Sequence, residues 1–338
     1  SAGDDPHILL AHGKPVPPEL EKHVERIRPA KGLRWPVMLG IMPYWIGRCV
    51  RAHWPDLIRA HSLRFTGLPA LIAARRHGLP MVAHLHHLDP DPLNLLIERT
   101  VMRGADLVVA DSEASKRQAV ALGVPAERIR VVYCGVPDAY TPGRCPKAVW
   151  DRYGLGEPGA FVILSVGPMI PRKDPLGTIR VFARVLHRDQ SRPRPTLLWI
   201  GDGPLRHDAQ RLAGSLGIAD AVRLPGYVPE EDKLSLYRAA RAYLTLSRLE
   251  GFPLGALEAM ACGVPVVAYR VPPFTELVEE EVSGLLVPND FASRLVQLIG
   301  SVGWQKLLSQ GAAVRVDRYF RLRHVVEGVR EVYEEAVG

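Results

Sequence analysis

The sequence predicts a two-domain α/β protein whose parallel sheets are covered by helices. Two observations lead there. Short apolar runs rich in β-branched residues alternate with stretches of helical spacing throughout the C-terminal half. The chain, at 338 residues, is also too long for one ordinary core and suits two.

The apolar runs of the C-terminal half are residues 161–166, 196–200, 221–224, 242–246, 264–268 and 284–287. Helical stretches fall between them at 175–186, 204–216, 230–240 and 254–262. Strands that are apolar on both faces belong to a parallel sheet sandwiched by helices. Such doubly wound sheets bind ligands beyond the carboxyl ends of their strands. The N-terminal half repeats the theme, with strands expected at 56–60, 81–84, 107–110 and 129–132. Its helices are expected at 68–77, 93–103 and 112–122, the last capped by Asp111 or Ser112. Pro137, Pro142, Gly143 and Pro146 mark a linker. The expected domains are therefore 1–146 and 147–317. Residues 318–336 are read as one further helix with an apolar stripe at Phe320, Val325, Val329 and Val332, free to pack on either domain.

Composition narrows the class. Hydrophobic residues at 47% and charged residues at 23% exclude a disordered or fibrous chain. No apolar run approaches the roughly 20 residues of a membrane span, and Ser1-Ala-Gly-Asp-Asp5 lacks the basic start and apolar core of a signal peptide. Cysteines 49, 134, 145 and 262 form no Cys-x-x-Cys pair, which fits reduced thiols in a cytoplasmic protein. The net charge of +7 is uneven: residues 1–150 hold 20 Lys/Arg against 14 Asp/Glu, and nine of the twelve histidines. A basic half of this kind attracts an anionic membrane face or a phosphorylated acceptor, unless it is only a solvated basic surface. Nucleic acid is excluded as a partner for want of a dense basic block with interleaved aromatics.

The strongest signal is Ser247-Arg-Leu-Glu-Gly-Phe-Pro-Leu-Gly-Ala-Leu-Glu-Ala-Met-Ala-Cys-Gly-Val-Pro-Val-Val-Ala268. A strand ends near Leu246, a turn holds Gly251 and Pro253, and a helix starts near Leu254. Free N–H groups at a helix start suit a phosphate. Glu250 lies at the mouth of the turn. Glu258 lies a helical turn inward, where a carboxylate can accept two hydrogen bonds from a ribose diol. The plain alternative, a pair of solvated carboxylates, leaves the Gly turn and the Gly263-Val-Pro exit unexplained.

This stretch resembles the Glu-x7-Glu signature of retaining glycosyltransferases of the GT-B fold, family 4. The likeness covers most of residues 161–287 and extends more weakly to both sides. It implies two Rossmann-like, doubly wound domains facing a central cleft. It implies that Glu250 contacts the donor sugar and Glu258 holds the ribose. Backbone N–H groups of Gly251, Phe252 and Leu254 would meet the sugar and the distal phosphate. Pro253 stands where the family often has Gly and gives no N–H.

Val166-Gly-Pro-Met-Ile-Pro-Arg-Lys-Asp174 is similar to the family turn whose Arg and Lys neutralise the leaving diphosphate. Gly167 matches the turn Gly and Lys173 the family Lys. Pro168 takes the place of the Arg, with Arg172 as its substitute; the alternative is an exposed basic turn. Ile200-Gly-Asp-Gly-Pro204, with Gly203, resembles a strand-to-helix Gly turn. Leu224-Pro-Gly-Tyr-Val228 resembles the strand end that meets the nucleobase, with Tyr227 flanking the base or merely packed on the surface. Pro80-Met-Val-Ala-His-Leu-His86 resembles the segment whose last His faces the reaction centre, which makes His86 a catalytic candidate. His84 shares its face by strand alternation. With no third ligand at a suitable spacing, no metal is expected. Cys134 replaces the Asn of a family Asn-Gly-Val and reads as a buried thiol.

The likeness fails at the start. The family's Gly-rich loop is not found, and Gly13-Lys-Pro-Val-Pro-Pro18 stands in its place. Either residues 7–11 fill the central strand slot, or the chain lacks its true start. Residues 23–29 look like a later strand. The activity implied is metal-independent, retaining transfer of a hexose from a UDP- or GDP-sugar to a glycan, lipid-linked or small-molecule acceptor, with no cofactor. A nucleotide-sugar epimerase of the same fold and a non-catalytic nucleotide-sugar-binding subunit are the rivals. Residues 33–45, apolar with flanking Arg, are either a membrane-touching face or a core helix.

Overall fold

A computed structural model describes residues 8–10, 24–26, 35–88, 91–157, 159–189, 191 and 193–338. The chain divides into two compact units. One comprises Ser1–Asp111, Ser115–Val132 and Gly328–Gly338; the other comprises Ser112–Ala114 and Tyr133–Glu327.

The first unit contains β1 (Ile8–Leu10), β2 (Val24–Arg26), α1 (Trp35–His53), β3 (Ile58–Ala60), α2 (Leu68–His77), β4 (Met81–Leu85), α3 (Pro92–Gly104), β5 (Leu107–Ala110), most of α4 (Glu113–Ala121) and β6 (Ile129–Val131). A parallel sheet runs in the order β3-β4-β5-β6. Its strands are short and apolar, and alternation decides what each residue meets. Met81, Ala83 and Leu85 of β4 join Val108 and Ala110 of β5 in the core beneath α2 and α3. His84 therefore projects from the opposite face. The expected strand at 7–11 forms as β1, but its recorded partner is β2, in parallel register Ile8↔Val24, within a separate two-stranded sheet. Among the described residues, Ile8–Leu10 are thus not bonded into the four-stranded sheet. Gly13–Pro18, the replacement for the Gly-rich loop, lies outside the described residues. In α1, Met42 and Val50 are buried while Ile41, Tyr44, Arg48 and Arg51 are exposed. Among the described residues no helix is long and apolar enough to cross a membrane.

The second unit holds α5 (Lys147–Arg152), β7 (Val162–Val166), α6 (Pro175–Arg188), β8 (Thr196–Ile200), α7 (Arg206–Ser215), β9 (Val222–Gly226), α8 (Glu230–Ala239), β10 (Ala242–Leu244), α9 (Leu254–Ala261), β11 (Val266–Tyr269), α10 (Phe274–Leu277), β12 (Gly284–Val287), α11 (Phe291–Ile299), α12 (Val302–Tyr319) and the start of α13 (Leu322–Val337), whose remainder from Gly328 belongs to the first unit. Its sheet is parallel, in the order β12-β11-β10-β7-β8-β9. Both faces are buried. Val162, Leu164, Leu198, Tyr243 and Val266 fill one core, and Ile163, Leu197, Leu244, Val267 and Leu285 fill the other. That two-sided burial is why the strands read as unbroken apolar runs. Asp174 caps α6 by accepting from the Gly177 N–H at 2.9 Å, and Asp290 and Ser301 cap α11 and α12.

Two expectations are corrected here. The region 318–336 is not one helix. The Val136 N–H donates to the Phe320 carbonyl at 2.9 Å, and the Leu322 N–H donates back to the Val136 carbonyl at 3.3 Å. Those bonds take both groups out of the helical ladder, so α12 stops at Tyr319 and α13 starts afresh at Leu322. Arg321, buried at the break, donates to the Tyr140 carbonyl at 2.8 Å. Residues 133–146, which their prolines marked as a linker, pack into the second unit, with Val136 and Tyr140 buried in its core.

Candidate active site

The order of the larger sheet locates its ligand site. From β7 the chain winds outward through β8 and β9; it then returns to the other side of β7 as β10 and continues to β12. The switch point lies between β7 and β10, and ligands bind at the carboxyl ends of the strands there. The loop after β7 carries Gly167, Arg172 and Lys173. The loop after β10 carries Glu250 and leads into α9. These two loops meet. Lys173 Nζ is hydrogen-bonded to Glu250 Oε1, and Arg172 Nη1 donates to Glu250 Oε2 at 2.6 Å and to the Leu249 carbonyl at 2.6 Å. The side chains of Lys173 and Glu250 are only 17% and 7% exposed, whereas Arg172 is 41% exposed. Burial pushes the Glu250 pKa up, but Lys173, with Ser247 and Arg172, outweighs it and holds the carboxyl below its usual range.

Glu258 sits in the second turn of α9, facing α8. Tyr237 OH donates to its Oε2 at 2.6 Å, and Lys233 Nζ lies 3.3 Å from its Oε1. Lys233 also reaches Glu230 at 3.0 Å, and Tyr140 OH donates to Glu230 at 2.6 Å. Burial raises the Lys233 ammonium's difficulty, yet Glu230 and Glu258 more than offset it and raise its pKa. Tyr237 is buried, which drives its hydroxyl pKa far up and keeps it a donor.

The remaining second-unit candidates differ in what surrounds them. The loops after β7 and β8 press backbone to backbone. The Gly167 N–H donates to the Ile200 carbonyl at 2.9 Å and the Met169 N–H to the Asp202 carbonyl at 2.9 Å. A Cβ on Gly203 would stand 2.7 Å from the Met169 carbonyl oxygen, so Gly203 is required by this loop contact. Gly251 and Phe252 lie in the turn before α9, with Phe252 buried against Phe320 at 5.8 Å between ring centroids. Leu254 is exposed at the helix start, and its N–H donates to the Phe252 carbonyl at 3.0 Å. Tyr227 is 79% exposed at the end of β9, so the expectation of a packed surface tyrosine does not hold. Cys134 is half-buried rather than buried.

In the first unit the histidines form one network at the carboxyl edge of the sheet. His84 Nε2 and His86 Nδ1 both meet the Asp111 carboxylate at 2.7 Å. His86 Nε2 lies 3.2 Å from His61 Nε2. Arg59 Nη2 lies 2.5 Å from His84 Nδ1 and 3.3 Å from His61 Nδ1. Asp111 is buried and points at the histidines, so it does not cap α4 as the sequence suggested. Burial raises its pKa, but hydrogen bonds from His84 and His86 reverse the shift and hold it far below the carboxylate range. Burial, then His86 and Arg59, lower His61 to about 4; burial also lowers His84 against the opposing bond from Asp111. Burial therefore favours the neutral ring at His61 and His84.

Sequence reading missed Lys233, Tyr237, Arg59 and His61. Lys233 and Tyr237 stand four apart on one face of α8, a spacing that could have paired them. His61 follows β3, whose register Ala60↔Ala83 sets it beside His84. That register is the third-ligand signal that sequence spacing alone does not carry.

Residues 152–303 match the family described as glycosyl transferases group 1, and residues 1–140 match glycosyltransferase family 4. A D-inositol 3-phosphate glycosyltransferase of Acidothermus cellulolyticus is 34% identical over 309 residues, covering 84% of this chain and 68% of that protein. Its counterpart from Saccharomonospora viridis is 32% identical over 308 residues, covering 83% and 70%. Among solved structures, Anabaena HepE in complex with UDP superposes with a TM-score of 0.77 at 25% identity, over 94% of this chain and 88% of that one. A glycosyltransferase from Rickettsia africae shares the fold, with a TM-score of 0.79 at 19% identity, over 94% and 87%. The chain belongs to the family 4 glycosyltransferases of the GT-B fold, and glycosyl transfer is its activity.

Proposed function

We propose that the chain transfers a hexose, with retention at the anomeric carbon, from a UDP-sugar to a small phosphorylated polyol, using no metal ion for the transfer. One observation carries the reading: two cations, Lys173 and Arg172, converge on the Glu250 carboxylate at the switch point of the larger sheet. When the donor binds, its diphosphate takes over those cations, and Glu250 is released to accept from hydroxyls of the sugar. Lys173 and Arg172 then neutralise the leaving diphosphate, fixed charge of the kind that is often the largest catalytic contribution. Glu258, oriented by Tyr237 and Lys233, holds the ribose diol. His86, on the first unit, is the remaining catalytic candidate. The leaving phosphate deprotonates the acceptor hydroxyl as the sugar moves, so no enzyme nucleophile is required.

The preference for UDP over GDP is motivated by HepE, which binds UDP and UDP-glucose. The acceptor is motivated by the inositol-phosphate specificity in the relatives' names and by the basic N-terminal half. Peripheral contact with an anionic membrane is a further proposal, supported by the exposed Ile41, Tyr44, Arg48 and Arg51 on α1; failure to bind anionic vesicles at low salt would dismiss it.

The test is a thermal-stability titration with UDP-, GDP- and ADP-sugars. The expected result is a concentration-dependent rise with the UDP-sugar alone, because a ligand stabilises the state it binds. A rise with another nucleotide renames the donor, and no rise with any refutes the donor site. Nuclear magnetic resonance of the product reads the anomer, and an inverted product refutes retention.

A further inference from the structure

The imidazoles at the edge of the first unit's sheet hold more geometry than the transfer reaction uses. One ring nitrogen from each of His61, His84 and His86 lies within 4.8 Å of the other two. The Nε2 atoms of His61 and His86 are 3.2 Å apart. Two imidazole nitrogens bound at about 2.0–2.1 Å to one tetrahedral zinc stand roughly 3.3 Å from each other. The rings of His84 and His86 stack with centroids 4.3 Å apart and planes 22° from parallel.

Asp111 sets which nitrogen each ring presents. Its two oxygens take His84 Nε2 and His86 Nδ1, each at 2.7 Å. A carboxylate that receives one ring N–H leaves the lone pair on the other nitrogen, the arrangement that orients metal-binding histidines generally. The lone pairs are then on His84 Nδ1 and His86 Nε2. His84 Nδ1 already faces a positive group, the Arg59 guanidinium at 2.5 Å, which also lies 3.3 Å from His61 Nδ1. Arg59 is exposed on β3, with its guanidinium 5.9 Å from the Tyr333 ring centroid, so its side chain can exchange these contacts for solvent.

We propose that His61, His84 and His86 bind one divalent transition-metal ion of the zinc class, with Asp111 orienting two of the rings and Arg59 as the resident cation that the ion displaces. Three imidazoles suit zinc, copper or nickel better than the hard oxygen-seeking ions, and leave a fourth position for water. A neutral imidazole has a single lone pair, so His61 turns it to the ion only once Arg59 has left. The ion also occupies His86 Nε2 and so inhibits transfer. That consequence rests on the proposed role of His86; binding itself does not.

The experiment titrates the whole chain with zinc against a chromophoric chelator. One zinc per chain is expected, with affinity weakened at least tenfold in His61→Ala and tightened several-fold in Arg59→Met. Wild-type affinity retained in His61→Ala, or no saturable binding in wild type, would overturn the site. Unchanged affinity in Arg59→Met would overturn the displacement. The UDP-sugar thermal shift, measured on the same variants, reads folding of the second unit separately. Zinc that binds at one per chain without slowing transfer would refute the role of His86 and leave the metal site standing.

Discussion

Glu250→Gln is predicted to bind UDP more tightly than the wild type while losing turnover. In the ligand-free protein Glu250 neutralises Lys173 and Arg172. A diphosphate that needs the same cations must compete with it. Unit charges about 4 Å apart interact by about 4 kcal/mol at an effective dielectric of 20, and by only about 0–1 kcal/mol in exposed pairs. The Lys173–Glu250 pair, at 17% and 7% exposure, lies between those limits. Arg172, 41% exposed, adds little after solvent screening. Competition of about 2 kcal/mol corresponds to roughly thirtyfold in affinity.

The sugar separates this from a simple loss of charge. UDP makes no sugar contact, so it takes the whole gain. A UDP-sugar loses hydrogen bonds to a charged carboxylate, worth about 1.5–3 kcal/mol, and gains little or nothing. Isothermal titration of wild type and Glu250→Gln with UDP and with the UDP-sugar gives four constants. UDP alone should tighten about tenfold or more, and the preference for the sugar-bearing ligand should fall. A folded variant whose UDP affinity is unchanged or weaker refutes the exchange of Glu250 for diphosphate.

Glu258→Gln should weaken UDP binding by about tenfold through a poorer ribose contact, while Tyr237→Phe, which only orients Glu258, should weaken it less; equal affinity in Glu258→Gln would remove Glu258 from the ribose. Gly203→Ala should lower the thermal midpoint by several degrees, since its methyl meets the Met169 carbonyl oxygen at 2.7 Å; an unchanged midpoint would show that the loop yields. The depressed Glu250 pKa contributes stability that is present above the unfolded value near 4.5 and is lost as pH falls through the folded value. Thermal midpoints from pH 7 to 3 should therefore fall more steeply below about pH 4.5 in wild type than in Glu250→Gln, and parallel curves would contradict the pairing.

The strands of the second unit were legible because burial on both faces leaves an unbroken apolar signal, as in Thr196–Ile200 and Gly284–Val287, found at the expected residues. Helix starts were legible where a capping residue or proline stands at the boundary, as at Pro175. The break at Phe320 was not, because its cause is Val136, far away in sequence. β1 was legible as a strand but not as a partner of β2, since a three-residue apolar run carries no information about its neighbour.

The same limit explains which site residues were found. Glu250, Glu258 and His86 stand inside motifs, and a motif is local. Their partners are not local: Lys173 reaches Glu250 across 77 residues, Tyr237 reaches Glu258 across 21, and Asp111 reaches His86 across 25. Parallel sheets produce this separation, because every strand delivers its carboxyl end to one edge and a whole crossover intervenes before the next. Polar groups at that edge are therefore brought together by register and strand order. Each of these three carboxylates then acquires two partners: two cations on Glu250, a phenol and an ammonium on Glu258, two imidazoles on Asp111. A carboxylate taken out of water requires such partners, and their donors stay in place for whatever later binds there. Burial thus selects for preorganised polar groups such as these, and it selects for them at sequence distances that no motif spans.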